Sequence, residues 1–456
     1  MIQELNRIQQ ETLAKVGPKF NVDLRHNKDK EVHIKLKNAY IIDPYSIEEY
    51  IARDGYKALH KVLFSMTPES VIEEVKKSGL KGRSGGGFPT GVKWSFVKKS
   101  DQQHYIIMNA DEGESAATID GVIMRQDPHS AIEGMVIAGF ATGATIGYVY
   151  IRYEYPEAQR VMEHAIEQAK AKNLLGKNIM GSGFDFEVIM YRGAGAYICG
   201  EETAIISSIE GLRGNSKNKP PFPAVQGLFN KPTIINNVET LGVVPQILLN
   251  GGGWFASYGV AGSEGTKVFT LTGQLREPKT VEVPLGTTIR ELIELGGGLR
   301  EGRQFKAFVT GSPNITMLGP NDIDMPIQFD LFKERQVMVG SGGTVFLDDS
   351  TCLMQFMHFN VDLLAIESCG RCTPCRAGTR KMTQFFEKII QGEATMDDLQ
   401  KMKDLAEHMR SASLCGLGIA MGMTMFSALY SFEDEFVEHI RDRHCRCGKC
   451  FKEANA

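Results

Sequence analysis

The segment Glu367–Thr379, ESCGRCTPCRAGT, sets Cys369, Cys372 and Cys375 at C-x2-C-x2-C spacing, with Gly370 and Pro374 between them. Thiols three residues apart in a turn converge on one point, and three of them plus a distant fourth suit a cubane iron–sulfur cluster. A structural zinc more often shows paired C-x2-C knuckles, and inert thiols leave the glycine and proline without a purpose. The fourth ligand is sought among the remaining cysteines. Cys352, in the apolar helical run TCLMQFM, reads as a buried inert thiol. Cys199 lies among glycines in GAYICGEET, a stretch with other work to do. Cys415, in SASLCGLG, follows a helix and precedes Gly416, which suits a turn donor. The expected cluster ligands are Cys369, Cys372, Cys375 and Cys415.

The last three cysteines form a separate group. In RDRHCRCGKC, His444, Cys445, Cys447 and Cys450 offer one imidazole and three thiols, with His439 shortly before. The preferred reading is zinc on Cys445, Cys447, Cys450 and a histidine, His444 or His439. A further cluster completed by a partner, and free thiols, are the alternatives. The segment is too polar to order itself without a metal.

Glycine loops supply a second kind of chemistry. KGRSGGGFPTGVKW packs Gly82, Gly85, Gly86, Gly87 and Gly91 into a short loop with Arg83 and Lys93. It is neither a Walker loop nor a G-x-G-x-x-G fingerprint. Still, clustered glycines leave backbone N–H groups open to an anion that two cations could neutralise. Two acidic stretches follow, NADEGE (109–114) and GAGAYICGEET (193–203), whose carboxylates can accept from ribose hydroxyls or flavin N–H groups. TIINNVET (233–240) adds amides and a hydroxyl. Solvated charge and a bare surface loop are the plainer readings of each alone; together they describe a nucleotide site upstream of a cluster.

The elements that position these loops fall into blocks. From about 68 to 250, short β-rich runs (104–108, 146–151, 186–190) alternate with helical patterns such as 157–169, which argues for an α/β layer with a largely parallel sheet. Residues 267–310 read as a hairpin, a helix over 288–295 and a returning strand, a small β-grasp-like module. From 350 to 440 the period is helical, with Met382, Phe385, Phe386 and Ile389, then Leu399, Met402, Leu405 and Met409, and Gly392 as a stop. The expected division is a lead-in over 1–64, a nucleotide-binding α/β domain over 65–250, a β-grasp domain over 251–335, a helical cluster domain over 336–440 and a metal-binding tail over 441–456.

Composition sets the bounds. The 456 residues are 42% hydrophobic and 23% charged with net charge −4, which gives no electrostatic reason to expect nucleic acid or an anionic membrane as partner. No apolar run approaches the ~20 residues of a membrane span. The N-terminal MIQELNRIQQETLAKVG begins a polar amphipathic helix, not a signal peptide, so a cytoplasmic location is expected. In that compartment nine cysteines read as ligands, not disulfides.

GRSGGGFPTGVKWSF, NADEGE, GAGAYICGEETA, KPPFPA, INNVET and ESCGRCTPCRAGT together resemble the NADH-binding flavoprotein subunit of respiratory NADH:quinone oxidoreductase. They equally resemble the corresponding subunit of soluble electron-bifurcating hydrogenases and transhydrogenases, over about residues 65–430. The resemblance implies a Rossmann-like FMN domain, a β-grasp (soluble-ligand-binding) domain and a helical [4Fe-4S] domain. It implies hydride exchange between NAD(H) and FMN, with single electrons passed to partners. By position it gives FMN to Gly82, Arg83, Lys93, Asn109, Asp111, Tyr197, Gly200, Asn236, Asn237 and Thr240. It gives the dinucleotide to Phe88, Phe96, Glu114, Glu201, Glu202, Lys219 and Phe222. Expected partners are a thioredoxin-like [2Fe-2S] subunit and a larger iron–sulfur subunit. Two departures stand out: Ser84 replaces a glycine, and Ser115–Gly121 lacks the usual P-G-T-F-K-D-R while keeping Asp120. That altered loop and the metal-like tail favour a soluble assembly over the respiratory one. A zinc-binding interaction module without redox activity is the rival from another class.

Overall fold

The computed structural model describes residues 1–20, 30–98, 100–311 and 314–451; the end of the expected tail segment, 452–456, lies outside them. A four-stranded parallel sheet centres the first domain, with strands β1 (Tyr105–Ala110), β2 (Ile146–Ile151), β3 (Glu187–Arg192) and β4 (Thr233–Asn237) in the order β3-β2-β1-β4. Parallel strands buried on both faces need apolar side chains, and Ile106, Ile107 and Met108 of β1 are fully buried. The Pro128–Thr142 helix joins β1 to β2. Proline opens it and Gly143, at φ 73°, closes it in the left-handed conformation. It is apolar all round because it is buried all round, Phe140 alone being half-buried. β4 is not among the expected strands; its sequence TIINN draws notice for its amides.

A two-stranded ribbon, β5 (Gly259–Val260) and β6 (Ser263–Glu264), leads into the second sheet. That sheet holds β7 (Thr266–Gly273), β8 (Lys279–Pro284), β9 (Phe305–Thr310), β10 (Thr316–Leu318) and β11 (Gly343–Asp348) in the order β10-β9-β11-β7-β8. The hairpin β7–β8 and the helix Ile289–Leu295 fall where the sequence places them, the helix starting on a Thr288/Glu291 capping box. The central strand β11 lies past 335, the expected end of the β-grasp domain. It pairs parallel to β7 and antiparallel to β9, and buried Phe269, Phe308 and Phe346 fill the core beneath.

The helices Leu353–Glu367, Thr373–Gln391, Met396–Ala412 and Gly416–Val437 form the third unit. Met382, Phe385, Phe386, Ile389, Leu399, Met402 and Met409 are buried as their spacing requires, and Gly392 stops its helix at φ 76°. The long final helix kinks at Phe432 and continues into one π-helical turn, Glu438–Asp442. Among the described residues no helix is long and apolar enough to cross a membrane.

Buried charges lock the units together. Glu239, in INNVET, pairs with Lys35 (2.6 Å) from the N-terminal segment and with Lys267 of β7, and accepts from the Val268 backbone (3.0 Å). Glu282 of β8 accepts from the backbone N–H groups of Ile34, Lys35 and Leu36. Full pairing is what lets such charges stay buried.

Candidate active site and metal centre

The α/β domain opens a cavity of about 250 Å³ at the carboxyl ends of its strands, where ligands bind in open parallel sheets. Asn109 lies near the end of β1, donating through Nδ2 to the Gly200 carbonyl (2.8 Å) and accepting from the Asp111 N–H (3.1 Å). Of the residues expected to hold flavin, Asn109, Asp111, Tyr197, Gly200 and Asn237 line this cavity, as do Glu114 and Glu201 from the dinucleotide set. Gly82, Arg83, Lys93, Asn236 and Thr240 are not among its lining residues. The Arg83 N–H donates to Thr240 Oγ1 (2.9 Å), and its guanidinium reaches the Glu264 carbonyl (2.9 Å) of the second domain instead of the cavity. Asn236 accepts from the Trp94 indole (2.9 Å), and Lys93 donates to the Ile235 carbonyl (2.8 Å).

Five lining residues with polar side chains carry no expected role: Ser84, Glu112, Asp120, Asn314 and Ser341. Asp120, kept within the altered loop, accepts from Asn237 Nδ2 (2.6 Å), and Glu112 accepts from the backbone of Asp120 and Gly121. The altered loop itself is packed against the second domain. Ala116 and Ala117 are buried, and the Thr118 N–H donates to Thr270 Oγ1 (3.2 Å) of β7. Position 343 is held to glycine there, because a Cβ on it would meet the Ala117 nitrogen at 2.8 Å and the Ala116 carbonyl carbon at 2.9 Å. Ser341 enters from the same side and donates to Glu114, while Asn314 donates to the Tyr197 hydroxyl (3.0 Å). Both come from turns of the second domain, and no local pattern marks them.

Burial dominates the electrostatics. It pushes the Asp111 and Asp120 carboxyls well above the ordinary range and lifts Glu114 to about 7 in spite of the Ser341 hydroxyl. Asp111 Oδ2 is buried with no partner among the described residues. Carboxyls that can be neutral both donate and accept, which matches a flavin ring with its mixed N–H and carbonyl edge. The residues present therefore fit FMN.

The other residues expected to hold the dinucleotide, Phe88, Phe96, Glu202, Lys219 and Phe222, do not line the cavity. The Phe88 and Phe96 rings stand 5.9 Å apart, both about half exposed, and Phe222 is exposed as well. Glu201 caps the Glu202–Ile209 helix through the N–H groups of Thr203 and Ala204. Lys219 bridges Glu201 (3.3 Å) and Glu202 (2.8 Å), and Lys93 approaches Glu202 at 3.4 Å.

Cys369, Cys372, Cys375 and Cys415 line one further cavity whose other walls include Ile198 and Leu417. Cys372 precedes the Thr373–Gln391 helix and Cys415 the Gly416–Val437 helix, so two helix N-termini face it. Four thiols around one apolar cavity fit a cubane cluster. Ile198 and Leu417 also line the first cavity, so the two cavities share these wall residues.

The tail differs from its expected ligand set. Cys352, His439, Cys445 and Cys450 present their donor atoms all within 4.8 Å of one another, the one group so gathered among the described residues. Cys352 Sγ lies 3.4 Å from Cys450 Sγ and 3.5 Å from His439 Nε2. Cys352, inert by its sequence context, thus joins the group. His444 is exposed beside Glu438 (3.6 Å), and Cys447 sits 3.5 Å from Cys445 outside the gathered set. The reason is the π turn, which buries His439 and sends its Nδ1–H to the Glu435 carbonyl (2.8 Å), leaving Nε2 free for a metal. Glu435 is itself buried; its carboxylate accepts from the Leu353 N–H (3.2 Å) and from Lys306 of β9 (2.9 Å).

Models of three known domains match the chain: the Nuo51 FMN-binding domain over residues 75–246, the SLBB domain over 268–317, and the NADH-ubiquinone oxidoreductase-F iron–sulfur binding region over 355–439. A curated relative, the NADP-reducing hydrogenase subunit HndC of Solidesulfovibrio fructosivorans, is 45% identical over 92% of this chain and 86% of its own length. The chain belongs to this flavoprotein family. A second relative, one of the subunits of an NADH-quinone oxidoreductase of Rhizobium meliloti, is 44% identical over 90% of this chain and 98% of its own. Among solved structures, an NAD+-reducing [NiFe]-hydrogenase in the H2-reduced state superposes with a TM-score of 0.79 at 31% identity, over 90% of this chain and 67% of that one. The matched FMN-binding domain contains most of the residues lining the first cavity, and the matched iron–sulfur region contains the four cysteines lining the second.

Proposed function

We propose that this chain is the NAD(H)-handling flavoprotein subunit of a soluble, multi-subunit and electron-bifurcating oxidoreductase of the hydrogenase or transhydrogenase type. Bound FMN supplies the two-electron to one-electron conversion, and the [4Fe-4S] cluster the single-electron outlet. The observation that carries the reading is the shared wall: Ile198 and Leu417 line both a carboxyl-rich flavin cavity and a four-cysteine cavity. The chain's own work is binding, orientation and exclusion of water. Asn109, Asp111 and Asn237 hold the cofactor's polar edge, Phe88 and Phe96 offer aromatic faces at the entrance, and no side chain acts as proton donor to the reaction. The purified chain under anaerobic conditions is expected to be coloured and to reduce a viologen with NADH. A colourless protein without that activity leaves the zinc-module reading in its place.

Glu202 is proposed to accept the adenine-ribose 2′-hydroxyl and to repel a 2′-phosphate, favouring NAD(H) over NADP(H). Lys219 and Lys93 neutralise part of its charge, and the relative HndC is named NADP-reducing. Comparison of kcat/KM for NADH and NADPH decides the point; Glu202→Gln narrows the ratio if the assignment holds.

The tail group is proposed to hold zinc. Three thiols and an imidazole fit a tetrahedral ion, for which Zn–S bonds of about 2.3 Å put ligand sulfurs ~3.8 Å apart. A cubane, with its thiolates on separate irons, needs them farther apart than 3.4 Å. A rigid tail of this kind supports the soluble assembly, with a thioredoxin-like [2Fe-2S] subunit and a larger iron–sulfur subunit as partners and the cytoplasm as location. The respiratory assembly is the second reading, and the 44% identity to the Rhizobium meliloti protein favours it. Isolation of the native complex and identification of its chains separates the two.

A further inference from the structure

The cluster cavity has a buried side and an open side. Cys375 and Cys415 are buried, whereas Cys369 and Cys372 are only half-buried, so the protein surface nearest the cluster runs past positions 369–372. That surface is basic. Between 366 and 381 the sequence carries Arg371, Arg376, Arg380 and Lys381 against the single carboxylate of Glu367, and Glu367 is turned inward, accepting from the Tyr197 N–H (3.0 Å). Arg371, Arg376, Arg380 and Lys381 are all exposed. Arg376 and Arg380, four apart on one helix, share a face. Arg213 adds a fifth cation from the α/β domain, its guanidinium 3.3 Å from the Cys369 carbonyl. In a chain of net charge −4 this local excess runs against the overall sign.

Apolar surface lies among these charges. Ile366 is 71% exposed and Leu212 60%, each close in sequence to one of the cations, and Phe359 extends the Ile366 face two turns back along the same helix. Asp362 is the exposed carboxylate between them on that helix. Exposed apolar side chains with guanidinium groups close by in the chain are the composition of a protein contact, which combines apolar anchors with charged groups.

We propose that this edge docks a one-electron redox protein or domain through an acidic face, so that electrons leave the chain past Cys369 and Cys372. The proposal rests on the flavoprotein reading above. It specifies the outlet's position and the partner's sign of charge. The balance is ordinary: one NADH gives NAD+, one proton and two electrons, which reduce two molecules of a one-electron acceptor. Complementary charge raises encounter rates about 10- to 1,000-fold at low salt, and salt removes the gain.

The probes are two haem proteins of opposite charge, the acidic soluble domain of cytochrome b5 and the basic cytochrome c, with a viologen as a small control. With the full-length, cofactor-loaded chain, the acidic protein is expected to bind measurably in calorimetry at low salt and to be reduced faster than the basic one. Both effects should fall about tenfold or more when salt is raised to roughly physiological strength. Arg380→Glu/Lys381→Glu is expected to abolish that binding and to cut kcat/KM for the acidic acceptor about tenfold, with iron content and the viologen rate unchanged. Arg380→Glu alone should give a smaller change of the same sign. Equal binding and reduction of the two haem proteins, or variants with unaltered affinity, would overturn the proposal. Loss of the viologen reaction in the unmodified chain would instead count against the flavoprotein reading.

Discussion

Two groups of cysteines in this molecule do opposite things with their geometry. Cys369, Cys372, Cys375 and Cys415 stand around the walls of a cavity, as a multi-atom cluster requires. Cys352, His439, Cys445 and Cys450 converge to within 4.8 Å of one another, as one ion requires. The first group takes three of its members from a single turn, and the second takes one each from a helix start and a π turn plus two from the tail. Donor spacing in the chain therefore says how many ligands are local, while donor spacing in space says what they can hold.

The sharpest way to break this contrast is to delete one member of each group. Cys415→Ser is expected to take iron from about four per chain to near zero and to bleach the visible cluster absorption, leaving the tail metal in place. Cys352→Ser should do the reverse, losing about one zinc per chain with iron retained. Metal analysis of the two purified variants checks both. Simultaneous loss of both metals in either variant would mean the two sites fold as one.

A narrower test lies inside the tail. Cys447→Ser and His444→Ala should keep the zinc, because neither residue belongs to the gathered donors, whereas Cys450→Ser should lose it. Next in size is Glu435→Gln. It weakens the charge that holds Lys306 and the Leu353 N–H beside Cys352, and outer partners of a metal site typically carry about 10- to 100-fold in affinity. A competition titration with a chelator measures it, and an unchanged affinity would make Glu435 an interdomain tie only.

The same contrast explains what is legible in the sequence. The C-x2-C-x2-C turn, the glycine loop and the period-3.6 helices from 353 onward are local, so residue type and spacing suffice. Cys352 escapes such a reading because it lies 98 positions before Cys450 in an apolar helical run that looks like core. β11 follows a glycine-rich stretch and precedes helices, so nothing near it announces a sheet whose other strands end more than twenty residues earlier. Ser341 and Asn314 meet the flavin cavity only because the second domain folds back onto the first. Glu239 is visible in INNVET as a motif letter, and its pairing with Lys35 and Lys267 is a tertiary fact.

The smallest expected effect asks whether that fold-back reaches the cavity's protons. Burial raises the Glu114 carboxyl from its ordinary value near 4.5 to about 7, with the Ser341 hydroxyl opposing the shift. A carboxyl with a raised folded-state pKa holds its proton longer in the folded than in the unfolded chain. Its contribution to stability is therefore complete below about pH 4.5 and is lost as pH rises toward 7. In flavin-free protein, Glu114→Gln should remove this part of the pH dependence, while Asp111 and Asp120, shifted in the same direction by burial, keep theirs in both proteins. The difference in Tm between the two proteins should then grow by about 2–4 °C from pH 4.5 to 7, in favour of the glutamine variant. Ser341→Ala serves as the opposing control. Without its hydroxyl the carboxylate loses a donor, so the slope in that variant should steepen. A slope unchanged by either substitution would mean that Glu114 titrates as a solvated carboxylate, and that the second domain covers the cavity without setting its protonation.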